Sequence, residues 1–425
     1  MSSDSDGTAA IGFEEVGAGE SGAGEVDEGE VGESDDRPRV VVIGGGIIGC
    51  MVARELADTH RVLVLERDGI AQGATARAAG EITMIPSYPD YPSIATHGLD
   101  FFRAYDGTGA FEFTEIPSVE LVTPDREETV RARVERQRAD DVDVAFLEAD
   151  AARKQWPGIR MDDYVGVARY RGTGHVDPYT LATTVQSEAT EAGVRFETGV
   201  TVTDIAVSDA GAGAETAGTV TGVETADQGT IECDHVVAAA GWRTRDLLAD
   251  HLRLPMRPYR TQCIVLRPPE DLDETFPMGW IPGEHVYFRP EANGDLLVGG
   301  WSFAEDDPAG ASRSADEAFR DHVADLVPRF VDAPGPMRLV DGWAGVDGAT
   351  PDTRPIIDAP ADAPDGLIVA TGFHGRGIMT SPIAATLVRC LLEGSDPPFP
   401  RDPFLLDRFD DRTADFEFFS ISAGN

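Results

Sequence analysis

A chain of 425 residues is longer than one small core requires, so two domains are expected. It holds 76 Asp and Glu against 35 Lys and Arg, for a formal charge of −41, and Lys154 is its only lysine. Such a surface repels phosphate backbones and anionic headgroups, which argues against nucleic-acid binding and membrane attachment. It suits a protein working in concentrated salt, where the self-repulsion is screened within a few Å.

The four cysteines, Cys50, Cys233, Cys263 and Cys390, are scattered, and no His/Cys group has metal-site spacing. They read as buried thiols in a reducing compartment. No stretch approaches the ~18 apolar residues of a membrane span, and the N-terminus lacks the basic and apolar regions of a signal peptide. The expected location is the cytoplasm.

In chain order, residues 1–37 are mostly Gly, Glu, Asp, Ser and Ala. Such a segment cannot bury enough apolar surface to offset chain entropy and reads as a disordered acidic tail. Val40–Ile43 is then a buried strand. Gly44, Gly46 and Gly49 follow in G-x-G-x-x-G spacing, with a helical pattern over Ile47–Ala57. A second strand, Val62–Leu65, ends on Glu66. This order is what a dinucleotide site needs. Gly44 makes the tight turn, Gly46 lets backbone approach a pyrophosphate, and Gly49 lets the helix lie near the strand. The helix N-terminus presents free N–H groups to phosphate, and Glu66 can accept from a ribose diol. NAD and FAD are both open at this point.

Small residues run from Gly73 to Gly80, which fits either backbone passing close to a flat ligand, with Thr75 and Arg77 able to contact phosphate, or an ordinary Ala-rich helix start. Tyr88–Tyr170 reads as a second domain. It has a helix over Ile94–Tyr105, strands at Phe111–Phe113, Val119–Thr123 and Tyr164–Tyr170, and a charged helix over Asp125–Ala139. His175 and Asp177 read as turn and cap before a helix over Thr180–Ala192. Short strands follow up to Cys233, interrupted by a small-residue loop at Asp209–Gly218. Val236–Trp242 returns to the first sheet and leads into a helix over Arg243–Leu252. Thr261–Leu266, His285–Arg289 and Asp295–Gly299 alternate, with Asn293-Gly294 as a hairpin turn. Met337–Trp343 is a strand. Gly366–Ala370 feeds a second glycine-rich loop, Thr371–Met379, before a helix from about Ser381. Two glycine-rich helix starts suggest one long ligand held at both ends. A helix N-terminus suits the charge that collects at the pyrimidine end of a reduced flavin, which favours FAD over NAD.

The motifs GGGIIG with Glu66-Arg67, Ala76–Gly80, GHVDPYTL, VVAAAGW, YFRP…NGDLLVGG, GWAG…TPDTRPII and ATGFHGRGIM together resemble the D-amino-acid oxidase superfamily. Within it the chain is similar to the sarcosine oxidase beta-subunit, dimethylglycine dehydrogenase and glycine oxidase group. The resemblance runs from about Arg39 to Phe409. It implies an α/β fold with a discontinuous Rossmann-like FAD-binding domain (38–86, 174–254, 337–410). An α+β substrate domain on an antiparallel sheet (87–173, 255–336) would cover it, leaving a C-terminal tail at 411–425. It also implies hydride removal from a carbon beside an amine nitrogen, with a small amine or amino acid as substrate.

By position, the resemblance gives FAD contacts to Gly44, Gly46, Ile47, Ile48, Gly49, Glu66, Arg67, Thr75, Arg77, Ala78, Ala79, Gly80, Val202, Gly241, Gly372, Gly375, Arg376, Gly377, Ile378 and Met379. Arg77 stands where histidine-linked branches carry flavin covalently, and no cysteine lies near Gly342–Gly345, so non-covalent FAD is expected. Asp347 stands where related oxidases place a carboxylate-clamping arginine. Arg260, Arg289 or Arg376 would then take the carboxylate, or the substrate presents a cationic group to Asp347. Catalytic candidates are His374, Arg376, Tyr287 and Asp347, with Tyr259 as a further pocket wall. His374 would orient substrate or an imine-hydrolysing water, or else simply bond to backbone. Lys154 matches no motif for an oxygen-activating lysine, which tilts the expectation towards a dehydrogenase with another electron acceptor or partner subunit. Rival readings are a hydroxy-acid or polyol-phosphate dehydrogenase on the same fold, a non-catalytic FAD-binding assembly factor, and an NAD dehydrogenase.

Overall fold

The computed structural model describes residues 12–13, 35–105, 111–208, 217–420 and 422. Most of the expected acidic tail and of the 209–218 loop lie outside these residues.

The first sheet has six strands in the order Ile356–Asp358, Leu367–Thr371, His235–Ala238, Arg39–Ile43, Arg61–Glu66, Arg195–Thr198. All neighbours are parallel except the first pair. Alternate side chains leave the sheet on opposite faces. Val40, Val42, Val62 and Val64 meet the helices Ile47–Leu56, Pro178–Glu191 and Gly377–Glu393. Val41, Ile43, Leu63 and Leu65 meet a small antiparallel sheet of Val202–Ser208, Thr219–Thr225 and Gly229–Glu232. Asp177 caps its helix by accepting from Thr180 N–H at 2.7 Å, with Pro178 next.

The second large sheet has eight strands in the order Arg338–Ala349, Arg257–Arg267, Leu296–Ala304, Val286–Pro290, Met278–Ile281, Ser118–Val122, Gly166–Tyr170, Val144–Glu148. Helix Glu317–Phe330 packs its Phe319, Val323, Leu326 and Phe330 against this sheet. The Asn293-Gly294 turn joins two neighbouring strands, with Gly294 at φ 80°.

Four stretches differ from the sequence reading. Arg338–Ala349, allotted to the cofactor side, pairs along its length with Arg257–Arg267 in the eight-stranded sheet. Its glycines suggest a loop, but they serve close packing: a Cβ on Gly345 would lie 2.6 Å from Arg77 Cβ, and one on Gly348 2.9 Å from Met256 Sδ. Helix Pro92–Ala104, allotted to the substrate side, buries Ile94, Leu99 and Phe102 in the core that holds Gly377–Glu393. The helix expected over 243–252 is one short turn, Thr244–Leu247, and the strand near Phe111–Phe113 is Thr114–Glu115 instead.

Candidate active site

The first glycine turn is closed by backbone alone. Gly44 sits at φ 113°, and a Cβ there would fall 2.5 Å from Ala239 O. A Cβ on Gly49 would lie 1.9 Å from Gly44 O, so the helix can start here only with hydrogen at that position. Gly46 differs: its only near neighbour is Thr75 Oγ1 at 3.3 Å, and it opens onto a cavity. Thr75 Oγ1 also accepts from Ile47 N–H at 3.1 Å. Glu66 accepts from Gly45 N–H and Asp68 N–H, both at 2.7 Å, one on each carboxylate oxygen. Each oxygen keeps a second lone pair for a ligand.

The cavity measures about 670 Å³ and lies between the two large sheets. One end is lined by Gly44, Gly46, Ile47, Ile48, Glu66, Arg67, Thr75 and Val202. Arg77, Ala78, Ala79, Gly80 and Gly241 line its length, and Tyr259, Tyr287, Asp347, Gly375, Arg376, Gly377, Ile378 and Met379 the rest. Three candidates do not line it: Gly49 is sealed against the strand, Gly372 at φ 71° packs on Thr350, and His374 is fully buried. His374 Nε2 donates to Phe419 O at 2.8 Å, its Nδ1 accepts from Thr350 N–H at 3.4 Å, and its ring lies against Tyr259 and Phe418. Burial drops its pKa to about 4, which keeps it neutral. It is the backbone-bonding loop histidine, and the substrate-orienting role is withdrawn.

The small-residue loop is clamped from the eight-stranded sheet. Arg289 Nε donates to Ala79 O at 2.6 Å, and Trp343 Nε1 to Arg77 O at 3.0 Å. Arg289 also bonds Pro290 O and Glu291, and Arg260 is spent on Asp316, Ser312 O and Ser314 O. Neither arginine lines the cavity, so neither is placed to take a substrate carboxylate there. Arg376 is. Its guanidinium donates to Thr353 O at 2.6 Å and Thr353 Oγ1 at 3.0 Å, and among the described residues it forms no ion pair. Asp347 is its counterpart. Its carboxylate accepts from Gly348 N–H and Gly375 N–H, each at 2.8 Å, and burial raises its pKa with no cation to oppose the rise. Tyr259 senses the charge of both. One end of the cavity therefore carries a cation and an anion, each held by neutral groups.

Two parts of the lining went unread in the sequence. Glu81 follows the small-residue loop. Its carboxyl is enclosed, Oε1 has no hydrogen-bond partner, and desolvation pushes its pKa up to about 8 against the pull of Arg289. The second lies near the chain's end, at residues read as a mere tail, where Ser420 and Ser422 join the wall. An acid directly after an Ala-Ala-Gly run pointed to Glu81; nothing local marks the serines.

A glycine turn opening through Gly46, a carboxylate at the far end of the second strand and a second helix N-terminus facing the same cavity define a dinucleotide-dependent oxidoreductase. The family model described as "FAD dependent oxidoreductase" matches residues 39–391, and the chain belongs to that family of FAD-dependent enzymes. It is 26% identical to the glycine oxidase of Geobacillus kaustophilus over 87% of this chain and 96% of that one. It is 30% identical to the bifunctional protein ThiO/ThiG of a Synechocystis strain over 83% of this chain, and the match spans about half (51%) of that longer relative. The crystal structure of G. kaustophilus glycine oxidase superposes with a TM-score of 0.76 at 24% identity, covering 88% of this chain and 100% of that one. Among the described residues no helix is long and apolar enough to cross a membrane.

Proposed function

We propose that the chain oxidises the C–N bond of a small amino acid or N-alkyl amino acid, with FAD lying along the cavity between the two glycine turns. Bound there, FAD supplies a hydride acceptor for the carbon beside the amine nitrogen. The chain's own residues do the rest. Gly46, Ile47, Thr75 and Glu66 hold the phosphate and ribose end. The helix beginning at Gly377 directs its N-terminal N–H groups, with the Arg376 cation, at the opposite end and stabilises negative charge there.

The observation that carries the reading is the pair Arg376 and Asp347 on one cavity wall, neither in an ion pair among the described residues. A zwitterion complements them: its carboxylate meets Arg376 and its ammonium meets Asp347. Asp347 can take the ammonium proton, leaving the neutral amine that hydride loss requires. Its raised pKa brings it closer to that task. Because Arg376 takes the carboxylate, an arginine at position 347 is not needed. Among the described residues neither histidine nor cysteine lines the cavity, which supports non-covalent FAD. Lys154 is exposed on helix Ala149–Gln155 and also absent from the lining, which supports an acceptor other than oxygen. The acidic surface supports a cytoplasm rich in salt.

The test is anaerobic mixing of the yellow protein with glycine, sarcosine, proline and dimethylglycine in concentrated KCl. The 450 nm band should bleach with at least one, and air should restore it slowly. A flavin that bleaches with none of them overturns the proposal.

A further inference from the structure

The stretch after the last helix does not end in solvent. Arg257 Nη1 donates to Phe416 O at 3.1 Å. The Phe418 ring stacks on His374 with centroids 5.5 Å apart and planes 10° apart, and lies 5.2 Å from Tyr259. His374 Nε2 bonds the next carbonyl, Phe419 O. Beyond these fasteners Ser420 and Ser422 turn into the cavity, their hydroxyls 2.8 Å apart, and Ser422 is 4% exposed. The stacked histidine sits between Gly375, which bonds Asp347, and the strand that carries Tyr259. The segment therefore closes the same end of the cavity that holds Arg376 and Asp347.

We infer that Phe416–Ser420, together with Ser422, is the wall that sets the size of substrate the site admits, with His374 as the positioning residue that fastens it. The inference rests on the reading above for what the substrate is, but not for the wall itself. Among its described residues the segment forms no strand or helix beyond the short turn at Ser422, so its place depends on these side-chain and carbonyl contacts. Two hydroxyls supply donors and acceptors to a small polar ligand and offer a large apolar one no complementary surface. Size discrimination by such a wall is on the order of 10–200-fold for each added methylene.

The test needs no turnover. Holoprotein in concentrated KCl is titrated with acetate, benzoate and 1-naphthoate, and binding is read from the flavin visible spectrum. The full chain should bind acetate at least tenfold tighter than naphthoate. A chain stopped after Phe419, which keeps the Phe418 stack and removes both serines, should keep its FAD and bind naphthoate at least tenfold tighter than the full chain does. If that chain does not accumulate folded, Ser422→Trp in the full chain provides the reverse test: FAD stays and acetate binding falls at least tenfold. His374→Gln should narrow the acetate-to-naphthoate ratio, a change that lost stability alone does not produce. Identical series in parent and variants, including no binding in any of them, overturns the proposal. Amine oxidation failing while the size series shifts would overturn the substrate and leave the wall standing.

Discussion

The two glycine turns that face each other across the cavity are built in different ways. The turn at 44–49 is bonded close at hand: Gly49 is required by Gly44 O and its polar groups are satisfied by Thr75 and Glu66, within 31 residues of Gly44, with Ala239 O crowding Gly44 from farther along the chain. The turn at 372–377 is supported from afar. Gly375 N–H bonds Asp347, His374 N–H bonds Gly348 O, and the His374 ring is packed by Tyr259 and Phe418. A turn bonded close at hand is suited to grip the coenzyme for which the family is named. A turn whose supports come from other segments can change those supports and, with them, the substrate.

The contrast can be broken most sharply at Gly49. Gly49→Val places carbon on Gly44 O, so the purified protein should lack the 450 nm band altogether; a yellow Gly49→Val protein would show that the first turn tolerates expansion. Next comes Arg376→Met, which should keep FAD but slow anaerobic flavin reduction by amino acids about 10–100-fold, the value of one charge-assisted hydrogen-bonding pair. Reduction at the parent rate would remove Arg376 from substrate binding.

Salt withdrawal tests which turn is the weaker. As KCl is lowered, the excess negative charge is less screened and stability should fall. The second turn, propped by distant segments, should loosen first, so FAD fluorescence should rise before the far-ultraviolet circular dichroism changes. Coincident changes would make the two turns equally firm.

A smaller effect is expected at Glu81. Its carboxyl moves from 4.5 to about 8 on folding, so between those values the folded chain holds a proton that the unfolded chain releases. Its contribution is most favourable below pH 4.5, declines up to about 8 and is flat above. Glu81→Gln should therefore gain Tm relative to the parent as pH rises from 5 to 8, by a few degrees. The smallest effect belongs to His374→Gln: reduction by the smallest substrate should stay within about threefold, under ~1 kcal/mol of barrier.

The same division explains what could be read from the chain. Gly44, Gly46, Gly49 and Glu66 announce themselves because strand, turn, helix and acid are consecutive. The second sheet was visible in alternating runs and an Asn-Gly turn, but it is not purely antiparallel as expected, since Met278–Ile281 lies parallel to Ser118–Val122. The partners of His374 were not, because Tyr259, Thr350 and Phe419 lie up to 115 residues away and no local pattern ties them together. The strand Arg338–Ala349 was cut at the wrong place because glycines that admit Arg77 and Met256 look, in sequence, like a loop. Ser420 and Ser422 were missed because they follow a short aromatic run, Phe416–Phe419, that carries no glycine, helical or hairpin signal to place it.

The cavity draws its lining from residue 43 through residue 422. During synthesis at about 5–20 residues per second, roughly 20–80 seconds separate the emergence of the first and last of these segments. The early strands must wait, with half of a binding cleft exposed, for a partner surface the ribosome has not yet made. A coenzyme caught only by the first turn in that interval would have one anchor. The completed clasp would then add its binding free energy to folding only after release, making the vitamin supply of the cell a determinant of how much of this chain survives to be used.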